Sequence, residues 1–76
     1  MIYPQPATSR FFIKSAEIVR SVKILGTRGE TISEINPIDS REVEVSLRHT
    51  APGMYFLRVS TDGGMRVKKL VVRSEN

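Results

Sequence analysis

Cysteine is absent from the 76 residues. Neither disulfides nor thiolate metal sites can hold this fold, and the redox state of its compartment leaves no mark on it. Histidine is nearly absent too: His49, in the segment RHTAPG, is the only one. A triad would need an acid orienting His49, and a metal site several converging ligands, and neither pattern is visible around it. His49 reads as a loop surface residue. Apolar runs are only a few residues long, far short of the ~20 that a membrane-spanning helix needs. The opening MIYPQPATSR lacks a basic segment followed by an apolar one, so no signal peptide is expected in this chain, which reads as not membrane-embedded. Blocks of one charge sign are missing as well. The net charge is +4, yet residues 1–38 hold five basic and three acidic side chains and residues 39–76 seven and five. Each half therefore carries +2, without a basic arm or an acidic tail.

Helical periodicity is the last absence. β-Branched residues alternate with polar ones, and Gly or Pro recurs before any window completes three helical turns. What remains is an all-β pattern in a chain short enough to form one small domain, one that buries only about 60% of its unfolded surface. No cofactor is expected, because an enclosed pocket for a large one does not fit a core of this size.

The prolines of Tyr3-Pro4-Gln5-Pro6 stiffen residues 1–9 into an extended lead-in. Strands are expected at Arg10–Lys14 and Glu17–Leu25, the second with Ile18, Val22 and Ile24 on one face and Arg20 interrupting it. Gly26 and Gly29 bracket a turn, a short strand covers Glu30–Ile35, and Asn36-Pro37 ends it. Arg41–Leu47 alternates cleanly, with Val43, Val45 and Leu47 inward and Glu42, Glu44 and Ser46 outward. Residues 53–73 form a terminal hairpin. Six to seven short antiparallel strands suggest a small sandwich or barrel.

Two registers compete in the hairpin. A two-residue turn at Asp62-Gly63 sets Val59 against Arg66, Leu57 against Lys68 and Tyr55 against Leu70, which mixes core with charge. A three-residue loop, Asp62-Gly63-Gly64, sets Val59 against Val67 and Tyr55 against Val71, and places Arg58 beside Lys68 on the other face. The second register is preferred because it gathers the apolar residues, with Lys69 as the misfit: either a bulge turns it outward or its stem snorkels along the core edge.

Chemistry-bearing candidates are few. Glu42 and Glu44 share one strand face, but an outward face explains them better than acid/base work. Arg58, Arg66, Lys68 and Lys69 form a basic cluster, yet single-strand nucleic-acid binders need interleaved aromatic platforms. Tyr55 is expected in the core, its hydroxyl on a backbone partner, and Phe56 beyond the cluster. Nucleic acid is not the expected partner. An anionic glycan or lipid headgroup, or plain solvation of a sheet face, stays open.

Four segments in order resemble a known family. They are Tyr3-Pro4-Gln5-Pro6, Val22 to Ile32 with its Gly29, Ala51 to Val59 with Pro52, Gly53 and Tyr55, and Lys69-Leu70-Val71-Val72. Together they resemble the type A C-terminal sorting domain of type IX secretion cargo proteins, the Por secretion tail. That family shows a Y-P-N-P opening, a V-x-I-Y-D-x-x-G strand end, an L-x-P-G-x-Y segment and a closing K-L-V-V. Here Gln5 replaces the Asn, Leu25 and Gly26 stand for the aromatic and Asp, Thr50 stands for the Leu, and Ser74-Glu75-Asn76 follow the closing segment.

The resemblance implies an immunoglobulin-like β-sandwich that is not an enzyme and serves as an address label for a cargo fused to its N-terminal side. It implies as partners the outer-membrane translocon of Bacteroidota and a sortase that cuts ahead of the domain and joins the cargo to anionic lipopolysaccharide. The route runs through the periplasm to the cell surface or medium. Lys68, Lys69, Leu70, Val71 and Val72 are the recognition residues it implies, and exposed strand edges leave a homodimer open. An immunoglobulin-like adhesion or carbohydrate-binding module is the alternative.

Overall fold

Arg10 to Leu25 form a single strand of 16 residues, and the rest of the molecule is arranged around it. The computed structural model describes residues 2–4 and 7–74. Its strands are β1 (Ile2–Tyr3), β2 (Arg10–Leu25), β3 (Thr31–Ile35), β4 (Ser40–Ser46), β5 (Gly53–Thr61) and β6 (Gly64–Val72). The two strands expected over 10–25 are thus one. Ser15 and Ala16 carry no breaker, and the backbone N–H of Glu17 donates to Ser15 Oγ at 3.1 Å where the strand becomes irregular.

β2 serves two groups of neighbours. Its first half pairs with β1 and β4, its second half with β3 and β5, and β6 adds to β5. All of these pairings are antiparallel, and they join the six strands into one sheet. The expectation of an all-β, antiparallel fold of six to seven strands is met with six among the described residues, in the form of one sheet that curls on the shared strand. A parallel bridge from Ala7 to Val72 lays the lead-in along the end of β6. There Ala7 N–H donates to Val71 O at 2.9 Å and Arg73 N–H to Ala7 O at 2.7 Å.

The core lies inside the curl. Phe11, Ile13, Val19, Val22 and Ile24 reach it from β2, Val45 from β4, Leu57 and Val59 from β5, and Leu70 and Val72 from β6, with Ala7 and Leu47 closing it. Burying one such Leu, Ile or Phe is worth roughly 1.5–3 kcal/mol. β4 keeps its expected alternation: Val45 and Leu47 are buried, Val43 half-buried, and Glu42, Glu44 and Ser46 exposed. β2 does not. Val19 pairs with Thr61 and Ser21 with Ser60, so Arg20 is the extra residue of a bulge. The bulge shifts the alternation, which buries Val19 rather than Ile18 along with Val22 and Ile24.

The hairpin also departs from expectation. Thr61 pairs with Gly64, Val59 with Arg66, Arg58 with Val67, Leu57 with Lys68, Phe56 with Lys69 and Tyr55 with Leu70. This is the two-residue-turn register, not the preferred three-residue one. Val67 is exposed and Val71 half-buried, while Leu70 and Val72 take the core places. The cause is local stitching of the turn. Thr61 Oγ accepts from Gly63 N–H and donates to Gly64 O, both at 3.1 Å. Asp62 N–H donates to Ile18 O at 3.0 Å. Gly64 takes φ 132°, a conformation that side-chain-bearing residues rarely adopt, and so returns to the ladder at once.

Charge on the inward face proves tolerable because the curl is open there. An open cleft of about 530 Å³ is lined by Ile2, Ile13 and Val59 together with Arg66 and Lys68. Both basic residues are exposed, so their charges need not be buried. Of the two outcomes expected for Lys69, the outward orientation is the one found, set by the register rather than by a bulge, although Lys69 also contributes to the lining of the cleft. Lys69 itself is on the outer face, opposite Phe56.

Candidate recognition hairpin

Strand alternation distributes the closing segment over two faces of β6. Lys68, Leu70 and Val72 belong to the face that holds the core, and Lys69 and Val71 to the outer face. Lys68 is exposed opposite Leu57, Leu70 is buried opposite Tyr55, and Val72 is buried opposite Gly53. Val71 is half-buried opposite Met54, and its carbonyl receives the Ala7 N–H. Of the five, the two lysines are exposed and two apolar residues anchor the strand.

The expected basic cluster is split by the same pleat. Arg58 shares the outer face with Lys69, whereas Arg66 and Lys68 are on the inner side. Arg58 faces Val67, so the like-charge pair expected with Lys68 does not form, and its cost of a few tenths of a kcal/mol does not arise. Phe56 is not beyond the cluster: it is exposed, directly opposite Lys69. One aromatic still does not make a platform for successive bases.

The turn end of the hairpin is clamped by a residue that the sequence marked only as an interruption. Arg20 Nε donates to Asp62 Oδ1 at 2.7 Å and Nη2 to Asp62 Oδ2 at 3.0 Å, while Nη1 reaches Asp39 Oδ1 at 3.3 Å. The hydrogen bond from Arg20, reinforced by its charge, holds the Asp62 carboxyl below its ordinary pKa, against a smaller opposing effect of desolvation. Asp62 in turn raises the Arg20 guanidinium. The available signal was a basic residue on an otherwise apolar strand face, matched by an Asp at a hairpin tip.

At the other end, Tyr55 is half-buried and its hydroxyl donates to Ala51 O at 2.5 Å. Tyr55 thereby bridges across Pro52 and Gly53, and ties the loop to the strand. Gly29 takes φ 87° in the turn after β2, its N–H donating to Gly26 O at 3.0 Å. Tyr3 stacks on Phe12, ring centroids 5.6 Å apart, with the Arg10 guanidinium over the Phe12 ring. Pro4 follows β1, and Pro6 lies outside the described residues.

The remaining candidates have plain surroundings. Glu44 pairs with Arg10 at 3.6 Å and Glu42 faces Lys14 across the ladder, so the two acids complement basic neighbours on β2. His49 is exposed in the loop after β4. Among the described residues, no group of three His, Asp or Glu is placed to hold a metal ion. Among them, too, no helix is long and apolar enough to cross a membrane.

Fold and hairpin together define a small, all-β antiparallel domain whose final strand pair is pinned at both ends, packed on the core by one face and exposed on the other. The model of the secretion system C-terminal sorting domain family matches residues 1–73, and the chain belongs to that family, the sorting domains of type IX secretion. All four resembling segments lie within the match. No curated protein matches the chain. The family is one of sorting signals and not a catalytic one. Membership implies a cargo that is secreted or displayed on the cell surface, and a tail that acts with the type IX system.

Proposed function

We propose that residues 1–76 form a single, non-enzymatic address domain of immunoglobulin-like type. It directs a cargo fused to its N-terminal side across the outer membrane of a Bacteroidota cell. The cargo reaches the periplasm by a separate signal, and the translocon then reads the folded domain. A sortase cuts ahead of the domain and joins the cargo to anionic lipopolysaccharide.

The family match over residues 1–73 carries this reading. Lys68, Lys69, Leu70, Val71 and Val72 are the recognition segment, in which the exposed lysines meet the translocon and Leu70 and Val72 fix the strand. Tyr3, Pro4, Pro6, Gly29, Pro52, Gly53 and Tyr55 are the family's motif positions, of which Gly53 and Tyr55 set the preceding strand in place. The test fuses the chain behind a periplasmic reporter in a host with a type IX system. Deleting the last ten residues is expected to leave the reporter in the periplasm. That deletion removes Leu70 and Val72 from the core, so Lys68→Gln/Lys69→Gln, which changes exposed side chains only, is the companion variant. Normal secretion of both variants would sink the assignment of the segment.

A further inference from the structure

Four large apolar side chains are exposed on the outer face of the hairpin: Met54 (47%), Phe56 (36%), Met65 (53%) and Val67 (57%). The ladder puts them there together. Met54 pairs with Val71, Phe56 with Lys69, Arg58 with Val67 and Ser60 with Met65, all on the side opposite the buried Leu57 and Val59. Directly opposed and diagonal neighbours on one sheet face lie within about 5–8 Å, so these residues form one patch rather than scattered exposures. The patch continues onto β2, where Leu25 pairs with Phe56 and Lys23 with Arg58. Arg58 Nε donates to Met65 Sδ, laying the guanidinium across the patch.

We infer that this face is a docking surface for a different protein, one that presents an apolar floor with an acidic rim. The inference rests on the sorting reading and deepens it: the partner belongs to the secretion apparatus, and it grips the outer face, to which Lys69 of the recognition segment belongs. Charge selects the occupant. Lys23, Arg58 and Lys69 share the face, with Glu34 opposite Lys23 at its far edge, and a two-fold pairing of two copies would set that same mainly basic surface against itself. Acidic groups on a partner would instead complement it. A lipid surface fits less well, because the chain has no Trp, Tyr55 is on the inner face and Tyr3 is stacked on Phe12 in the first half of β2, which leaves the hairpin patch without the aromatics that anchor at headgroup level. Two methionines on the patch suit an irregular protein surface.

The test compares wild type, Met65→Thr/Val67→Thr and Arg58→Glu, each fused behind a periplasmic reporter in a type IX host, with the exported fraction as readout. Threonine keeps strand propensity at exposed positions, and thermal unfolding of the purified chain checks the fold. Both variants are expected to lower export about tenfold at an unchanged melting midpoint. If the double variant fails to fold, Arg58→Glu decides alone. Export of folded variants at the wild-type level overturns the proposal. A wild-type dimer that Met65→Thr/Val67→Thr converts to monomer assigns the face to a second copy, and overturns it too. So does wild-type flotation with phosphatidylglycerol vesicles that the same variant abolishes. Failure of the wild-type fusion to export at all removes the sorting reading, and this inference with it.

Discussion

Arg20 and Asp62 are 42 positions apart in sequence and joined by two N–H···O contacts of 2.7 and 3.0 Å. One is the extra residue of the bulge in β2, the other the first residue of the β5–β6 turn. A bulge re-aims a side chain that would otherwise follow the strand's alternation. Here it releases Arg20 from the core side and turns it to the hairpin tip, where planar guanidinium and carboxylate groups meet in bidentate fashion. The same residue accepts the Ile38 N–H through its carbonyl at 2.9 Å and reaches Asp39, so the loop before β4 is held as well.

This pair gives the molecule a defined acid response. The folded Asp62 titrates below its ordinary value, so its contribution is complete above the unfolded pKa of about 3.9 and is lost as pH falls through the lower folded value. The stability gap between wild type and Asp62→Asn, followed by urea unfolding, should be constant near neutrality and close below about pH 4. Both groups are solvent-exposed, so added salt should shrink the gap at neutral pH. A gap that ignores both pH and salt would show that the ion pair contributes nothing to folding.

Adjacent glycines in the turn should respond unequally to alanine. At Gly64 a Cβ meets nothing within 4 Å, but the backbone sits at φ 132°, and the strain alone should cost about 1–3 kcal/mol. At Gly63 φ is not positive, and the nearest atoms an added Cβ would meet are those of the carboxylate of the exposed Glu17, which can swing away. Gly63→Ala should be close to neutral, since the stiffer unfolded chain offsets that displacement by about 0.4–1 kcal/mol. Equal losses at the two sites in thermal unfolding would refute this account of the turn.

Tyr55→Phe isolates the loop tether. The ring stays in place and only the hydroxyl bonded to Ala51 O is lost, so destabilisation of about 0.5–1.5 kcal/mol is expected. Hydrogen exchange should accelerate at residues 50–53 more than in the middle of β5. Uniform acceleration along β5 would place the effect in the strand rather than in the loop.

Much of this was readable from local pattern. β-Branched alternation in Arg41–Leu47 gave the inward set of β4, and the four ordered segments pointed to the family. Two things were not readable. The join of 10–14 to 17–25 depends on Ser15 and Ala16 extending without a breaker, a fact about both neighbours pairing with one strand. The register depends on Arg20 pulling Asp62 and on the Thr61 hydroxyl closing the turn, contacts that no rule of strand alternation contains. Choosing the register that gathers the apolar residues assumed a covered face, whereas the curl leaves an open cleft lined by Arg66 and Lys68, both of them exposed. That wrong register also hid the outer patch, since it put Val67 inside.

The two registers make opposite predictions for single residues of β6. In the observed pairing Leu70 is fully buried and Val67 is exposed. Leu70→Ala should cost about 2–5 kcal/mol, because it removes transfer energy and leaves a cavity. Val67→Ala should change stability by no more than about 0.5 kcal/mol, as surface substitutions do. Under the three-residue-loop register Val67 would face Val59 in the core and Leu70 would pair with Phe56 outside, reversing the order. Urea unfolding at a common m-value ranks them directly. Since a domain this small has only about 5 kcal/mol in reserve, Leu70→Ala should also lose much of its folded population at 37 °C while Val67→Ala keeps it. The opposite ranking would mean that the hairpin slips by one residue in solution, which would turn Lys68 to the outer face and Lys69 to the inner one.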